Sequence, residues 1–193
     1  MGVWFNQYEN VICREYCNSA ELVELGCLES FRFNNPWSKK LEGKKVLVVH
    51  PFEDSIKEQY FNNRTKLFND PNVLPAFELK TIKAVQSLGS KANYNTWFEA
   101  YDHMCRQIEG TDFDVAIIGA GAYGLPLAAF IKKMGKCVIH MGGATQILFG
   151  IKGTRWEIAY KDSIAKLFND YWIRPLEIER PSTYKDVENG CYW

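Results

Sequence analysis

The segment from Phe113 to Gly150 constrains the fold of this chain more than any other. A continuous apolar run, Val115 to Ile118, stops at Gly119, and glycines recur at 121 and 124 before a helical pattern begins. A second apolar run follows from Cys137 to Ile139. The order is strand, glycine turn, helix, strand. Apolar runs with no polar alternation belong to parallel strands covered on both faces, and parallel pairing needs a crossover such as this helix. The unit predicts a Rossmann-like α/β core. Open parallel sheets bind ligands beyond the carboxyl ends of their strands, which puts Gly119 to Tyr123 and His140 to Gln146 on the ligand side.

Upstream, the run from Lys45 to His50 reads as another buried strand, ended by Pro51, which cannot continue a ladder. A helix is expected from about Asp54 to Phe68, capped by Asp54 or Ser55. Phe77 to Val85 is a strand of weaker pattern. Asn95 is expected to cap a helix through Ile108, whose Trp97, Phe98, Tyr101, Met104, Cys105 and Ile108 mark an apolar face. After the glycine unit, 151–156 reads as a loop, 158–172 as a helix, and the chain from Pro175 as irregular. Near the start, apolar residues at helical intervals between Asn6 and Leu28 predict two short helices, followed by a linker. The expected organisation is a helical segment and linker over 1–43, an α/β domain over 44–175 and a tail over 176–193. The fold class is a three-layer α/β sandwich with a small, mainly parallel sheet of about four strands plus the amino-terminal helical segment.

Composition removes several classes of function. With 193 residues, 47% of them hydrophobic, the chain can bury a sizeable core. Its 23 basic and 23 acidic side chains cancel with no basic run, which argues against a nucleic-acid footprint. No apolar stretch approaches the roughly 20 residues of a spanning helix, and Met1 to Asn10 lacks the parts of a signal peptide, so a cytoplasmic protein is expected. Six cysteines, with no CxxC pair, read as reduced core thiols, and no metal site is expected from them. The aromatics in the opening GVWFNQYEN have no preceding element to bury them, which points to a homo-oligomer or a complementing lobe.

Four polar strand ends converge on the ligand side. His50 ends the first strand and His140 the last, and both are candidate bases or phosphate contacts, weighed against hydrogen-bonded structural roles. Gln86 and Ser87 follow the weaker strand. Gly119, Gly121, Tyr123 and Gly124 form a G-x-G-x-x-G turn whose amides can receive a phosphate at a helix N-terminus, although glycines there also serve a tight turn alone. Gly142, Gly143, Thr145 and Gln146 follow the last strand. Lys152 and Arg155, on a loop with glycine hinges, are the cations available to close over a pyrophosphate, unless that loop is simply a solvated surface. An apolar sheet has no structural need for polar tips at every strand, so their convergence argues for a ligand. A dinucleotide is disfavoured, because the acidic residue expected at the end of the next strand is replaced by His140-Met141-Gly142.

The blocks NPWSKKLEGKKVLVVHPFEDSIKEQY, LPAFELKTIKAVQS, FDVAIIGAGAYGLPLAAFIKKMGK, GGATQILFGIKGTRW and the terminal GCYW resemble a family of proteins associated with bacterial polysaccharide biosynthesis. More distantly, Val85 to Tyr101, Ile117 to Leu127 and Val138 to Gly143 run in the order seen in the carboxyl-terminal half of GT-D-type glycosyltransferases. This resemblance implies transfer of a sugar from a nucleotide-sugar donor to a glycan acceptor. It also implies an amino-terminal Asp-x-Glu segment that helps hold a divalent metal and the donor diphosphate. That motif is absent before the first strand, and GVWFNQYEN resembles the interior of longer relatives, so the expectation is a chain lacking that segment unless a partner supplies it. The leading expectation is a glycosyltransferase-like domain with His50 and His140 at its centre. The alternatives are a non-catalytic nucleotide-binding or interaction lobe of a split protein and, less favoured, an NAD-dependent oxidoreductase.

Overall fold

The computed structural model describes residues 1–4, 6–86 and 93–193. At the start, β1 (Gly2–Val3) pairs in parallel with β2 (Val23–Glu24), with α1 (Glu9–Tyr16) between them. The second of the two expected short helices is replaced by β2 and a 3-10 turn over Leu25–Leu28. Backbone pairing explains the change, since Val23 N–H donates to Met1 O at 3.0 Å and so takes part in a ladder.

The main sheet is entirely parallel and contains β3 (Lys45–His50), β4 (Glu78–Lys83), β5 (Val115–Ile118) and β6 (Cys137–His140) in the order β4-β3-β5-β6. β3 lies in the interior, with Val46 opposite Val115 and Val49 opposite Ile118 on one side and Val46 opposite Leu79 on the other. From Val46 to His50 its side chains therefore have no solvent face. Val46 and Val48 pack into one core cluster and Leu47 and Val49 into another, all buried. This two-sided cover explains the unbroken apolar run. On the first face lie α2 (Glu53–Asn63) and the later α5 (Ala144–Leu148), with Phe52, Ile56, Tyr60, Ile147 and Phe149 in the core. On the second lie α3 (Trp97–Glu109) and α4 (Gly124–Lys133), contributing Met104, Ile108, Leu127 and Ile131. The result is the expected three-layer, Rossmann-like α/β sandwich.

Local details differ from the sequence reading. Thr96, not Asn95, is the N-cap of α3, and its hydroxyl accepts Glu99 N–H at 3.1 Å. The Glu99 carboxylate in turn accepts Asn95 N–H at 2.9 Å, the reciprocal arrangement of a capping box displaced by one residue at its return bond. No long helix spans 158–172. Instead α6 (Thr154–Ile158) occupies part of the expected loop, and only a 3-10 turn, Ile164–Leu167, follows. Asn169 breaks the helical path by accepting Tyr171 N–H on its own side-chain oxygen, and Ile151 bridges Ile173 to bring the chain back beside itself. The thiols are free but not all internal: Cys13 and Cys105 are buried, whereas Cys27 and Cys137 are exposed. Among the described residues no helix is long and apolar enough to cross a membrane.

Candidate functional site

In this strand order the chain leaves β3 toward β4 on one side, while β5 and β6 lie on the other. The topological switch therefore falls between the carboxyl ends of β3 and β5, where open α/β sheets leave a crevice. A cavity of about 480 Å³ lies there. That volume is within the roughly 300–1,000 Å³ typical of small-molecule sites. Its floor is made by His50 from β3, Gly119 from β5 and His140 from β6, and the turn from Gly119 to Tyr123 forms one wall. Val85 and Gln86 approach from the end of β4, and Gly142, Gly143 and Gln146 from the region of α5. The sequence candidates His50, Gln86, Gly119, Gly121, Tyr123, His140, Gly142, Gly143 and Gln146 are thus brought to one cavity. Ser87 lies outside the described residues.

His50 is buried, and its Nδ1 accepts Phe52 N–H at 3.0 Å. In a neutral ring this fixes the proton on Nε2. Burial alone pushes its pKa down to about 3, because no carboxylate compensates the charged form. His140 is also held below the usual histidine range by burial, and its Nε2 has no hydrogen-bond partner. Both imidazoles are therefore neutral near pH 7.

Gly119 is needed by packing rather than by conformation. A β-carbon there would stand 2.6 Å from His50 Cδ2 and 2.8 Å from Thr145 Oγ1, closer than real side chains approach. Gly121 is different: its φ is +52° with nothing near the missing β-carbon, so it serves the left-handed turn itself. Gly124 opens α4 beneath the His140 ring, which a β-carbon would overlap. The Tyr123 ring, buried at the cavity edge, stacks on Trp97 at 5.0 Å, and Trp97 stacks on Tyr101 at 5.2 Å. This column ties the glycine turn to α3.

The expected cations stand elsewhere. Lys152 Nζ lies 6.0 Å from the centre of the Phe168 ring and does not line the cavity. Arg155 sits behind the wall, paired with Glu188, donating to Tyr192 OH at 2.9 Å and stacked 4.7 Å from the Tyr192 ring centre. Thr145 is fully buried behind Gly119 and does not line the cavity.

A whole wall was missing from the sequence reading. Val187, Glu188, Tyr192 and Trp193 close the side facing α5, so the segment expected to be an irregular tail is part of the site. It is held by Arg155 N–H donating to Cys191 O at 2.8 Å, Thr154 Oγ1 donating to Trp193 O at 2.7 Å, and Gln146 Nε2 donating to Tyr192 O at 3.4 Å. Trp156 and Trp193 are both buried. The only available signal was the cluster of aromatics at Tyr192 and Trp193. Glu188 is the one Asp, Glu, Lys or Arg side chain among the described lining residues.

Six buried side-chain polar atoms among the described residues lack a hydrogen-bond partner, and five of them gather here. His140 Nε2, Gln146 Oε1 and Trp193 Nε1 belong to lining residues. Thr145 Oγ1 stands against Gly119, and the Trp156 ring flanks Gly143. Each such atom costs about 1–3 kcal/mol if left unpaired, so the set calls for partners of the kind that a polar ligand or ordered water supplies. Donors and acceptors are both represented, and none carries charge.

The N-terminus of α2 is already occupied. Glu179, buried, accepts Asp54 N–H at 2.7 Å and Ser55 N–H at 3.2 Å, and also takes the Ser55 hydroxyl. Burial pushes its carboxyl pKa up, opposed by these hydrogen bonds. Gln59, further along α2, donates to Gly150 O at 2.8 Å and Tyr171 O at 3.0 Å. Arg64 donates to Leu74 O at 3.2 Å. Among the described residues no group of three or more His, Cys, Asp or Glu side chains is arranged to hold a metal ion. No family model, curated protein or solved structure matches the chain.

Proposed function

We propose that the chain is a glycosyltransferase-like domain that binds a nucleotide-sugar in the switch-point cavity and acts, in the cytoplasm, in surface polysaccharide synthesis with a glycan as acceptor. The observation that carries the binding part is the collection of unpartnered, uncharged polar atoms around a cavity of small-molecule size. A sugar or base offers the alternating hydroxyl, carbonyl and amine groups that such a set can satisfy. The turn at Gly119 to Tyr123, at the N-terminus of α4, is suited to the phosphates. His50 would act as an Nε2–H donor rather than as a cation, since its ring stays neutral. The divalent metal implied by the resemblance finds no fitting donor set among the described residues, so no step is assigned to it here.

A second reading, a non-catalytic nucleotide-binding lobe, is favoured by one observation. Stabilising a departing diphosphate requires cations aimed at it, and here Arg155 is committed to Glu188 while Lys152 faces Phe168. Thermal unfolding with uridine and guanosine diphosphate sugars, nucleoside diphosphates and NAD, each with and without manganese, tests both readings. Stabilisation by a nucleotide-sugar is expected, and sugar release from that donor would separate a transferase from a binding lobe. Stabilisation by NAD alone would overturn the proposal.

A further inference from the structure

Glu188 lines the cavity and pairs with Arg155. We propose that Arg155 is an anion-binding residue of this site whose resting occupant is the chain's own Glu188 carboxylate, and that a diphosphate group takes its place. The inference deepens the nucleotide-sugar reading and rests on it for the identity of the natural ligand.

The guanidinium is already oriented for this role. Tyr192 accepts a hydrogen bond from Nη1 at 2.9 Å and supports the flat face with its ring. Its remaining edge meets Glu188. The occupant is weakly held, because the Glu188 side chain is 57% exposed and an ion pair in that setting is screened by water and salt. It is also held at a backbone cost. Glu188 has φ +47° and Asn189 φ +56°, left-handed conformations that side chains adopt reluctantly, and Gly190 follows at +74°. A diphosphate carries more charge and more acceptor oxygens than one carboxylate, and a guanidinium fork engages such groups in two parallel bonds. Exchange would let the turn at 188–190 relax. The backbone bonds at Cys191 and Trp193 to Arg155 and Thr154 do not involve the Glu188 carboxylate and persist on exchange, which gives up only the weak contact of the Cys191 thiol with that carboxylate at 3.5 Å.

The test uses inorganic pyrophosphate as the probe, titrated calorimetrically into the wild-type chain, Glu188→Gln, Glu188→Ala, Arg155→Gln and the Arg155→Gln/Glu188→Gln double variant. Removing the internal competitor should tighten pyrophosphate binding by roughly tenfold or more in both Glu188 variants. Adding Arg155→Gln should abolish that gain. Two Glu188 replacements are included so that a folding defect in one leaves the other to decide. Unchanged affinity in the folded Glu188 variants, or a gain that survives loss of Arg155, would overturn the exchange. A uridine diphosphate sugar titrated into the same proteins separates the two claims. If pyrophosphate discriminates as expected and no nucleotide-sugar binds, the anion site stands and the nucleotide-sugar reading falls. If nucleotide-sugars bind and pyrophosphate ignores Glu188, the reverse holds.

Discussion

The carbonyl oxygen of Gly142 stands 2.5 Å from the point a β-carbon on Gly119 would occupy, so the ends of β5 and β6 close on each other with no room for a side chain. The obstacle is backbone, with the buried His50 ring beside it, and neither can swing aside. Gly119→Ala is therefore expected to cost about 1–3 kcal/mol through overpacking, with loss of whatever the cavity binds. Gly121→Ala meets no neighbour and should cost only about 1–2 kcal/mol, from its left-handed backbone. Urea midpoints of the two variants check this. A Gly119→Ala protein as stable as the wild type would show that the strand ends are not locked as described.

His50 makes stability depend on acidity. Its folded pKa of about 3 lies below the ordinary 6.5, so between those values the unfolded chain binds a proton that the native chain does not. Stability from this residue is fully present above about pH 6.5 and is lost as pH falls toward 3, by at most about 1.4 kcal/mol per pH unit. His140, shifted in the same direction, adds to the same trend. Chemical denaturation of the wild type and His50→Asn across this range should show a shallower slope in the variant. Parallel slopes would mean that His50 is accessible to a proton in the native state.

The parts of the molecule legible in sequence are those where one physical demand acts alone. β3 and β5 announce themselves because a strand covered on both faces tolerates only apolar residues, and the glycines at 119, 121 and 124 mark a strand-to-helix turn. Placing these at the carboxyl edge of a parallel sheet sufficed to bring both histidines and Gln146 to one cavity. What was not legible depends on long-range pairing. Nothing near Glu188 states that Arg155, 33 residues earlier, will hold it, or that Glu179 will cap a helix that starts at residue 53. The expected helix over 158–172 failed for a similar reason, since Trp172 Nε1 donates to Leu67 O at 3.0 Å, a demand from a distant segment that local periodicity cannot register.

Glu179 offers a test of that distant cap. Replacing it with Ala leaves the amides of Asp54 and Ser55 without an acceptor, and the expected loss is about 1–3 kcal/mol. The acid response has the opposite sign to that of His50. Because its folded pKa is raised by burial, the native chain takes up a proton before the unfolded one does, and this residue's contribution improves as pH falls through that raised value toward the ordinary carboxylate range. Glu179→Gln, which cannot titrate, should lack that improvement when its stability is compared with the wild type over the same acid range. A wild type and Glu179→Gln with identical pH profiles would remove the buried carboxylate from the account.

Gln146 joins stability to ligand binding, and its two ends can be separated. Its Nε2 faces the carbonyls of Ile151, Lys152 and Tyr192 at 3.3–3.4 Å, which ties α5 to the tail wall, while its Oε1 is buried at the cavity without a partner. Gln146→Leu removes both functions and should lower stability by about 1–3 kcal/mol, because one buried and two part-buried carbonyls lose a donor. It should also weaken binding of a uridine diphosphate sugar by roughly tenfold, the worth of about one hydrogen bond to the ligand. Tyr192→Phe provides the comparison, since it loosens the same wall at the Arg155 side but leaves Oε1 in place. If affinity falls in Gln146→Leu and holds in Tyr192→Phe, the unpaired oxygen is a ligand contact. If both fall together, Gln146 acts only by holding the wall, and the binding role assigned to Oε1 is wrong.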